Sequence, residues 1–350
     1  MSYQILRNLE EVKSLEMDWK ALISEEAAPF ASYGWNIEWL RSFRSVCDEI
    51  LVFAFYEDEA LVAIFPLYRK DRQMRFIGDG CSHHQDIIAR DAASAKWGWR
   101  VVMGYVRSEG CNLIMPKVAA DSMISEVIAL SMNDTPLLLK QQSIGYSPCY
   151  RVAPVVNGAS LVSRVGPEGV EVRVCEGRQI MDGEIEKAAD LHSAQYRGNG
   201  ELSLFENDVF RQFVRCVARR EDAGSHLLTL SIGGDLAAFV LGFARGGTFY
   251  VYASGIDGRY RDQAPDRYLW AELVRKLQAR GEVSLIDISC SPEATGPTRV
   301  DAEYELFSIM LRQKTAMNRL FSRTVGFLPP SARSDGLAAD RAELYETVKR

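Results

Sequence analysis

Apolar positions along this chain fall into blocks that switch between a period of two and a period near 3.6. The helical period covers Leu9 to Ile23, and Phe30 to Arg44 reads as a loop feeding an aromatic helix. Two apolar runs, ILVFAFY and ALVAIFPLY, flank Glu57-Asp58-Glu59 and predict a hairpin with an acidic turn. MRFIGDG predicts a strand ended by Gly78 and Gly80. Trp97 to Ser108 predicts a helix, CNLIMPKV a strand, Ser122 to Met132 a helix, and Pro136 to Gln141 a strand.

From Ser147 to Gly169 the pattern breaks at Pro148, Pro154 and Pro167, which marks a crossover. Beyond it the order of blocks repeats. VEVRVCEG is strand-like, and Asp182 to Tyr196 is helical. Asn207 to Glu221 is an amphipathic helix with Val209, Phe210, Phe213, Val214 and Val217 on one face. Residues 226–257 read as three strands, with Gly233-Gly234 and Gly246-Gly247 where hairpin turns need positive φ. Pro265 to Arg280 is a helix with proline in its first turn, VSLIDISCS is a buried strand, and Glu303 to Met317 reads as helix or strand-helix. The expected division is residues 1–160 and residues 161–350.

Composition narrows the class. The 350 residues are 47% hydrophobic and 25% charged, enough apolar material for two cores. A formal net charge of -6, well mixed, argues against a general DNA binder, which needs a positive field. No segment reads as a secretory signal or approaches the roughly 20 apolar residues of a membrane helix, so a cytoplasmic location is the expectation. The seven cysteines are scattered without a CxxC pair, which argues against a zinc site or a disulfide framework. No GxSxG, GxxxxGK[ST], HExxH or GxGxxG motif is present.

The stretch from DLHSAQYRGNG through GGDLAAFVLGFARGGTFYVYASGID to QARGEVSLIDIS resembles the GNAT-fold acyltransferases of the cellulose-biosynthesis (CelD- or BcsL-like) type. The WLRSF helix, the EDEALVAIFPLYR hairpin and FIGDG of the first half are similar in the same way. The resemblance implies an α/β (α+β) fold of two tandem GNAT-like halves, as in Fem-type aminoacyl-transferases. Each half is then a mixed, mostly antiparallel sheet flanked by helices, and the second carries the donor site. It also implies an amine attacking a thioester or aminoacyl ester directly, without a metal, with the donor lying between two splayed parallel strands. Those strands map to Phe249 to Ile256 and Val283 to Ser289, and the phosphate loop to Gly258 to Asp266.

On that mapping Tyr250, Arg259, Arg261, Ala264 and Arg267 are candidate donor contacts. The alternative has the arginines balancing Asp257, Asp262 and Asp266. Ala264-Pro265-Asp266 stands where the family has Ser-Pro-Gly, and an aspartate there repels an anion. No Tyr-Lys pair follows the later strand. These departures weigh against ordinary acetyl-CoA use and leave as donors another acyl-CoA, an acyl carrier protein or an aminoacyl-tRNA, or else a degenerate site. Candidate catalytic groups are His192 as base, Asp287 and Glu293 at a strand end, and Tyr252 as donor to a leaving thiolate. Each also has a plain reading, as a satisfied helix histidine, loop carboxylates or a core tyrosine. His84, Asp86 and Trp35 are candidates for an acceptor groove. His83 and His84 are neighbours that point apart on a strand, so no metal is expected. The expected activity is N-acyl transfer to an amine of a small molecule, sugar or peptide precursor. The competing readings are a Fem-like tRNA-dependent amide-forming transferase and a non-catalytic binding protein of the same fold.

Overall fold

The computed structural model describes residues 1–131, 137–151, 169–281, 283–288 and 301–313. Contacts within the chain separate two units. The first comprises Met1–Ser24, Phe30–Gly145 and the chain from Tyr304; the second comprises Glu25–Pro29 and Tyr146–Glu303.

The first unit begins with β1 (Ser2–Leu6), α1 (Leu9–Ser14), α2 (Glu16–Leu22) and α3 (Tyr33–Ser42). It continues through β2 (Glu49–Glu57), β3 (Ala60–Lys70), β4 (Gln73–Phe76), β5 (Ile88–Ala89), α4 (Ala92–Ser108), β6 (Asn112–Ala119) and α5 (Met123–Ser131). β7 (Leu138–Arg151) starts here and belongs to the second unit from Tyr146.

Strand order is β1-β2-β3-β4-β6, followed by the late strand β13 (Ala302–Arg312), with β5 on β3. Only β4 and β6 pair in parallel among these neighbours. The acidic turn of the β2–β3 hairpin places Asp58 at φ 48° and Glu59 at φ 70°, the primed-turn geometry that suits strand twist. β2 and β3 are apolar almost throughout because helices cover both faces of the sheet. Trp99, Val102, Met103 and Val106 of α4 pack on Phe53, Phe55 and Phe65.

The second unit holds β8 (Val170–Glu176), α6 (Asp182–Gly198), α7 (Asp208–Ala218), β9 (Ser225–Ile232), β10 (Asp235–Arg245) and β11 (Thr248–Ile256). A 3-10 segment, Gly258–Gln263, then leads into α8 (Pro265–Arg280) and β12 (Leu285–Asp287). Strand order is β7-β12-β11-β10-β9-β8, antiparallel except for β11 with β12. Leu269, Trp270, Leu273 and Leu277 of α8 pack on Val240, Phe249, Val251 and Ile286. The expected face of α7 buries Phe210, Phe213, Val214 and Val217. Asn207 caps that helix by accepting the N–H groups of Val209 and Phe210.

Three segments need comment. Ala302–Arg312 is a strand, which favours the strand-helix reading of this segment over the helix, because β6 offers it a ladder that secures its backbone groups. Ser147 to Arg151, expected in the crossover, extends β7 and pairs with β12. Ser2–Leu6, too short to show a period, is a strand on β2. The remainder of the crossover lies outside the described residues.

Candidate active site

The second unit contains the two parallel strands expected to flank a donor. β11 and β12 register in parallel at Thr248↔Leu285, Phe249↔Ile286 and Tyr250↔Asp287, while β11 runs on to Ile256. On its other side β11 carries a bulge. Leu241 faces Ala253 and Gly242 faces Val251, so the register skips Tyr252. A bulge bends its strand and leaves a residue outside the ladder. This one follows by two residues the last parallel pair among the described residues.

A small cleft opens at that end of β11. Its lining combines Ser254, Gly255 and Ile256 of β11, Ala238, Phe239 and Val240 of β10, Asp266, Leu269 and Trp270 of α8, and Gln195 of α6. Gln195 Oε1 accepts the Ile256 N–H at 2.8 Å and ties α6 to the strand end. Gly255 makes room here, since a Cβ would lie 2.7 Å from the Phe239 ring. The N-terminus of α8 faces the same cleft through Asp266. Its N-cap, Ala264, has left-handed backbone (φ 48°) and offers no side-chain cap, so the first-turn N–H groups keep their positive potential.

The candidate donor arginines divide. Arg259 is committed to Asp257 at 2.7 Å and Asp235 at 3.2 Å. Its hydrogen bonds hold the Asp257 carboxyl below the usual carboxylate range. Arg261 and Arg267 are exposed and make no ion pair among the described residues. Tyr250 and Tyr252 are both buried; Tyr252 stacks on Phe210 at 6.4 Å and meets Phe243 edge-on at 5.4 Å.

His192 lies on α6 one turn before Gln195, on the same face. Its ring stacks on Tyr196 at 4.3 Å and sits 6.4 Å from Phe239, which lines the cleft. Its Nδ1 is 2.7 Å from Ser203 Oγ. Asp287 is buried at the end of β12 and accepts a 2.7 Å hydrogen bond from Ser147 Oγ. Glu293 lies outside the described residues.

The acceptor candidates lie in the first unit. Trp35, expected in a loop lining a groove, has 0% exposure inside α3. Its indole N–H donates to Ser82 Oγ at 2.9 Å, and its ring meets Phe30 edge-on, so it packs the core. Asp86 faces inward as well. Its carboxylate accepts the N–H groups of Ile87, Met123 and Ile124 at 2.8 to 3.0 Å, which fastens the start of α5. Burial outweighs those bonds and pushes its pKa up to about 6. His84 stacks on Phe30, and the Tyr304 hydroxyl lies within hydrogen-bond reach of its ring. Gln195, Ser203 and Trp270 are site residues that the sequence pattern does not single out. Gln195 carries one usable signal, its spacing of three from His192.

Residues 162–308 match a family model described as acetyltransferase (GNAT) domain. No curated protein matches the chain by sequence. Among solved structures, the FemX crystal structure superposes with a TM-score of 0.54 at 9% identity, covering 87% of this chain and 97% of that one. L-PGS from Bacillus licheniformis gives 0.53 at 11% identity, covering 92% and 98%. A tandem GNAT protein from the clavulanic acid biosynthesis pathway gives 0.50 at 12% identity, covering 89% and 98%. No helix among the described residues is long and apolar enough to cross a membrane. The chain thus has the mixed α/β fold of those proteins, and residues 162–308 match a GNAT acetyltransferase domain.

Proposed function

We propose that the chain is an N-acyltransferase that moves an acyl group from a thioester donor to an amine of a small molecule, sugar or peptide precursor. The observation that carries this reading is the run of β11 beyond its last described pair with β12, through the Tyr252 bulge, to a cleft at its end. A donor arm lying along β11 would hydrogen-bond to that length of strand. Its acyl carbonyl would then lie beside the backbone N–H groups at the bulge, the arrangement that stabilises an oxyanion. Attack forms the amide N–C bond and breaks the C–S bond. The proton shed by nitrogen ends on the departing sulfur.

Arg261, Arg267 and the uncapped start of α8 favour an anionic group on the donor, such as the phosphates of an acyl-CoA or a carrier-protein arm. Asp266 favours a second reading, because its carboxylate stands in the cleft where a pyrophosphate would lie. On that reading the donor is an aminoacyl ester on tRNA, bound with its phosphates farther out. Tyr250 contributes the strand backbone in either case, and no metal takes part.

A thermal-shift series with acetyl-CoA, longer acyl-CoAs and charged tRNA tests both readings. A true donor at 100 times its Kd adds about 2.7 kcal/mol of stability. If none of the donors shifts unfolding or yields acylated amine, a non-catalytic binding protein is what remains.

A further inference from the structure

The outer face of α8 has a charge pattern that the chain as a whole lacks. From Gly258 to Arg280 there are six basic residues against three acidic ones, in a protein whose formal net charge is -6. Leu269, Leu273 and Leu277 turn inward to the core. Arg267, Tyr268, Arg275, Lys276 and Arg280 are exposed on the other side, and Tyr268 keeps 39% of its surface in solvent. Arg267 and Arg275 are two turns apart, about 12 Å along the helix, and so are Tyr268 and Lys276. Arg275 leans on Glu272 at 2.6 Å, Arg280 on Glu176 at 2.5 Å, and Arg259 on Asp257 at 2.7 Å. Arg261, Arg267 and Lys276 make no ion pair or side-chain hydrogen bond among the described residues. The same helix lines the cleft with Asp266, Leu269 and Trp270, so this face stands beside the proposed donor site.

We propose that the outer face of α8 docks an acidic carrier protein, and that the acyl group reaches the cleft on that carrier's phosphopantetheine arm. The inference rests on the transfer reading above and names the source of its thioester. The spacing of the basic groups favours this occupant, because carboxylates on a facing acidic helix repeat at the same two-turn interval. A nucleic-acid backbone carries a phosphate at every residue and would press charge on Asp262, Asp266 and Glu272 as well. Tyr268 adds an exposed aromatic ring with a polar tip, a side chain suited to anchoring a protein interface. A carrier arm is joined to its protein by a phosphodiester with a single negative charge, whereas CoA brings a pyrophosphate and a further phosphate. A single charge is what Arg261, Arg267 and the uncapped start of α8 can meet beside the Asp266 carboxylate. A face one helix long suits a small, transient interface, from which a spent carrier leaves readily. In the transfer the amide N–C bond forms and the C–S bond breaks. The arm departs as a thiol with the proton shed by nitrogen.

Fluorescence anisotropy tests docking without turnover. An acidic acyl carrier protein bearing its pantetheine arm is labelled and titrated with the full chain. It should bind, and more weakly by about tenfold as salt rises from about 50 to about 300 mM. Arg275→Glu combined with Lys276→Glu should weaken binding about tenfold or more, and Tyr268→Ala alone by a similar factor. Unfolding midpoints show that each variant is folded, and the salt series on the parent chain stands without them. In transfer assays the acetyl-loaded carrier should have a KM at least about tenfold below that of acetyl-pantetheine, and the double variant should raise the carrier's KM while kcat is kept. A carrier that does not bind, or binding indifferent to salt and to both variants, overturns the proposal. So does tighter binding of deacylated tRNA to the same face, or a double variant that loses kcat with both donors. If the carrier docks but no amine is acylated, the transfer reading falls and the docking face stands. If acetyl-CoA or acetyl-pantetheine serves as well as the loaded carrier, docking falls and the transfer reading stands.

Discussion

Each unit pairs two parallel strands at three described positions, but the chain takes a different path beyond the inner strand in each. In the first unit β4 meets β6 at Gln73↔Asn112, Met74↔Leu113 and Arg75↔Ile114 and stops at Phe76. The chain then folds back through Ile77 to Ser82 and fills the space itself. Arg75 pairs with Asp79 at 2.8 Å, and Trp35 donates to Ser82 Oγ. Lys117 of β6 donates to the Ser82 carbonyl at 3.1 Å. In the second unit β11 continues past its last parallel pair to Ile256, and the cleft lies at its end. One topology thus serves an inner strand that turns early and one that runs on to a cleft, and the proposed donor site is the second.

The contrast can be broken at several points. The largest effect expected is on stability, at Asp86 of the plugged unit. Burial raises its pKa from 3.8 to about 6, so between those values the folded chain holds a proton that the unfolded chain has lost. Stability from this group is therefore greatest at low pH and falls as pH climbs from about 4 to about 6. The gap, at about 1.4 kcal/mol per pH unit, amounts to roughly 3 kcal/mol. Denaturant unfolding across that range should show the slope, and Asp86→Asn should flatten it. A parent chain with no slope would place the carboxylate in a wetter setting than the structure gives it.

Filling the cleft at the end of β11 should come next in size. Gly255→Val drives a branched side chain toward the Phe239 ring and Gln195, and should cost about 100-fold in transfer by displacing the donor. The donor-induced thermal shift should vanish with it. Full activity in this variant would move the donor away from β11.

Gly78→Ala is the matching change in the plugged unit. Gly78 sits at φ 95°, and a Cβ would lie 2.4 Å from Ser82 Oγ. It should lower unfolding stability by about 1–3 kcal/mol yet leave the transfer rate of the folded fraction unchanged. A rate loss as large as that of Gly255→Val would erase the functional distinction between the units.

The smallest effect expected is a gain. Ala264 holds left-handed backbone without being glycine, and Ala264→Gly should add about 1 kcal/mol of stability. It should also tighten acyl-CoA binding by letting the donor approach the backbone more closely. Binding that weakens instead would favour the tRNA donor.

The paired hairpins and the amphipathic α7 are legible in the sequence because each buries a face set by local period. Ala302–Arg312 is ambiguous between helix and strand-helix, since its strand form depends on β6, nearly two hundred residues earlier in the chain. Arg259, Asp257 and Asp235 show the same limit at the site. Their charges are visible in the sequence, but only the hairpin turn at Gly233-Gly234 brings Asp235 within reach of Arg259. Trp35 reads as part of the loop that opens Phe30 to Arg44, whereas Ser32 starts a helix by accepting the Trp35 N–H.

By itself the sequence determined the doubled order of elements and the likeness of its second half to acyl-transfer enzymes, since both follow from side chains close to one another along the chain. Tertiary structure alone decided that Lys117 of β6 holds the turn after β4 and that Gln195 of α6 ties down the end of β11. Both depend on groups distant in sequence competing for the same space or the same hydrogen bond, and such competition leaves no trace in local pattern.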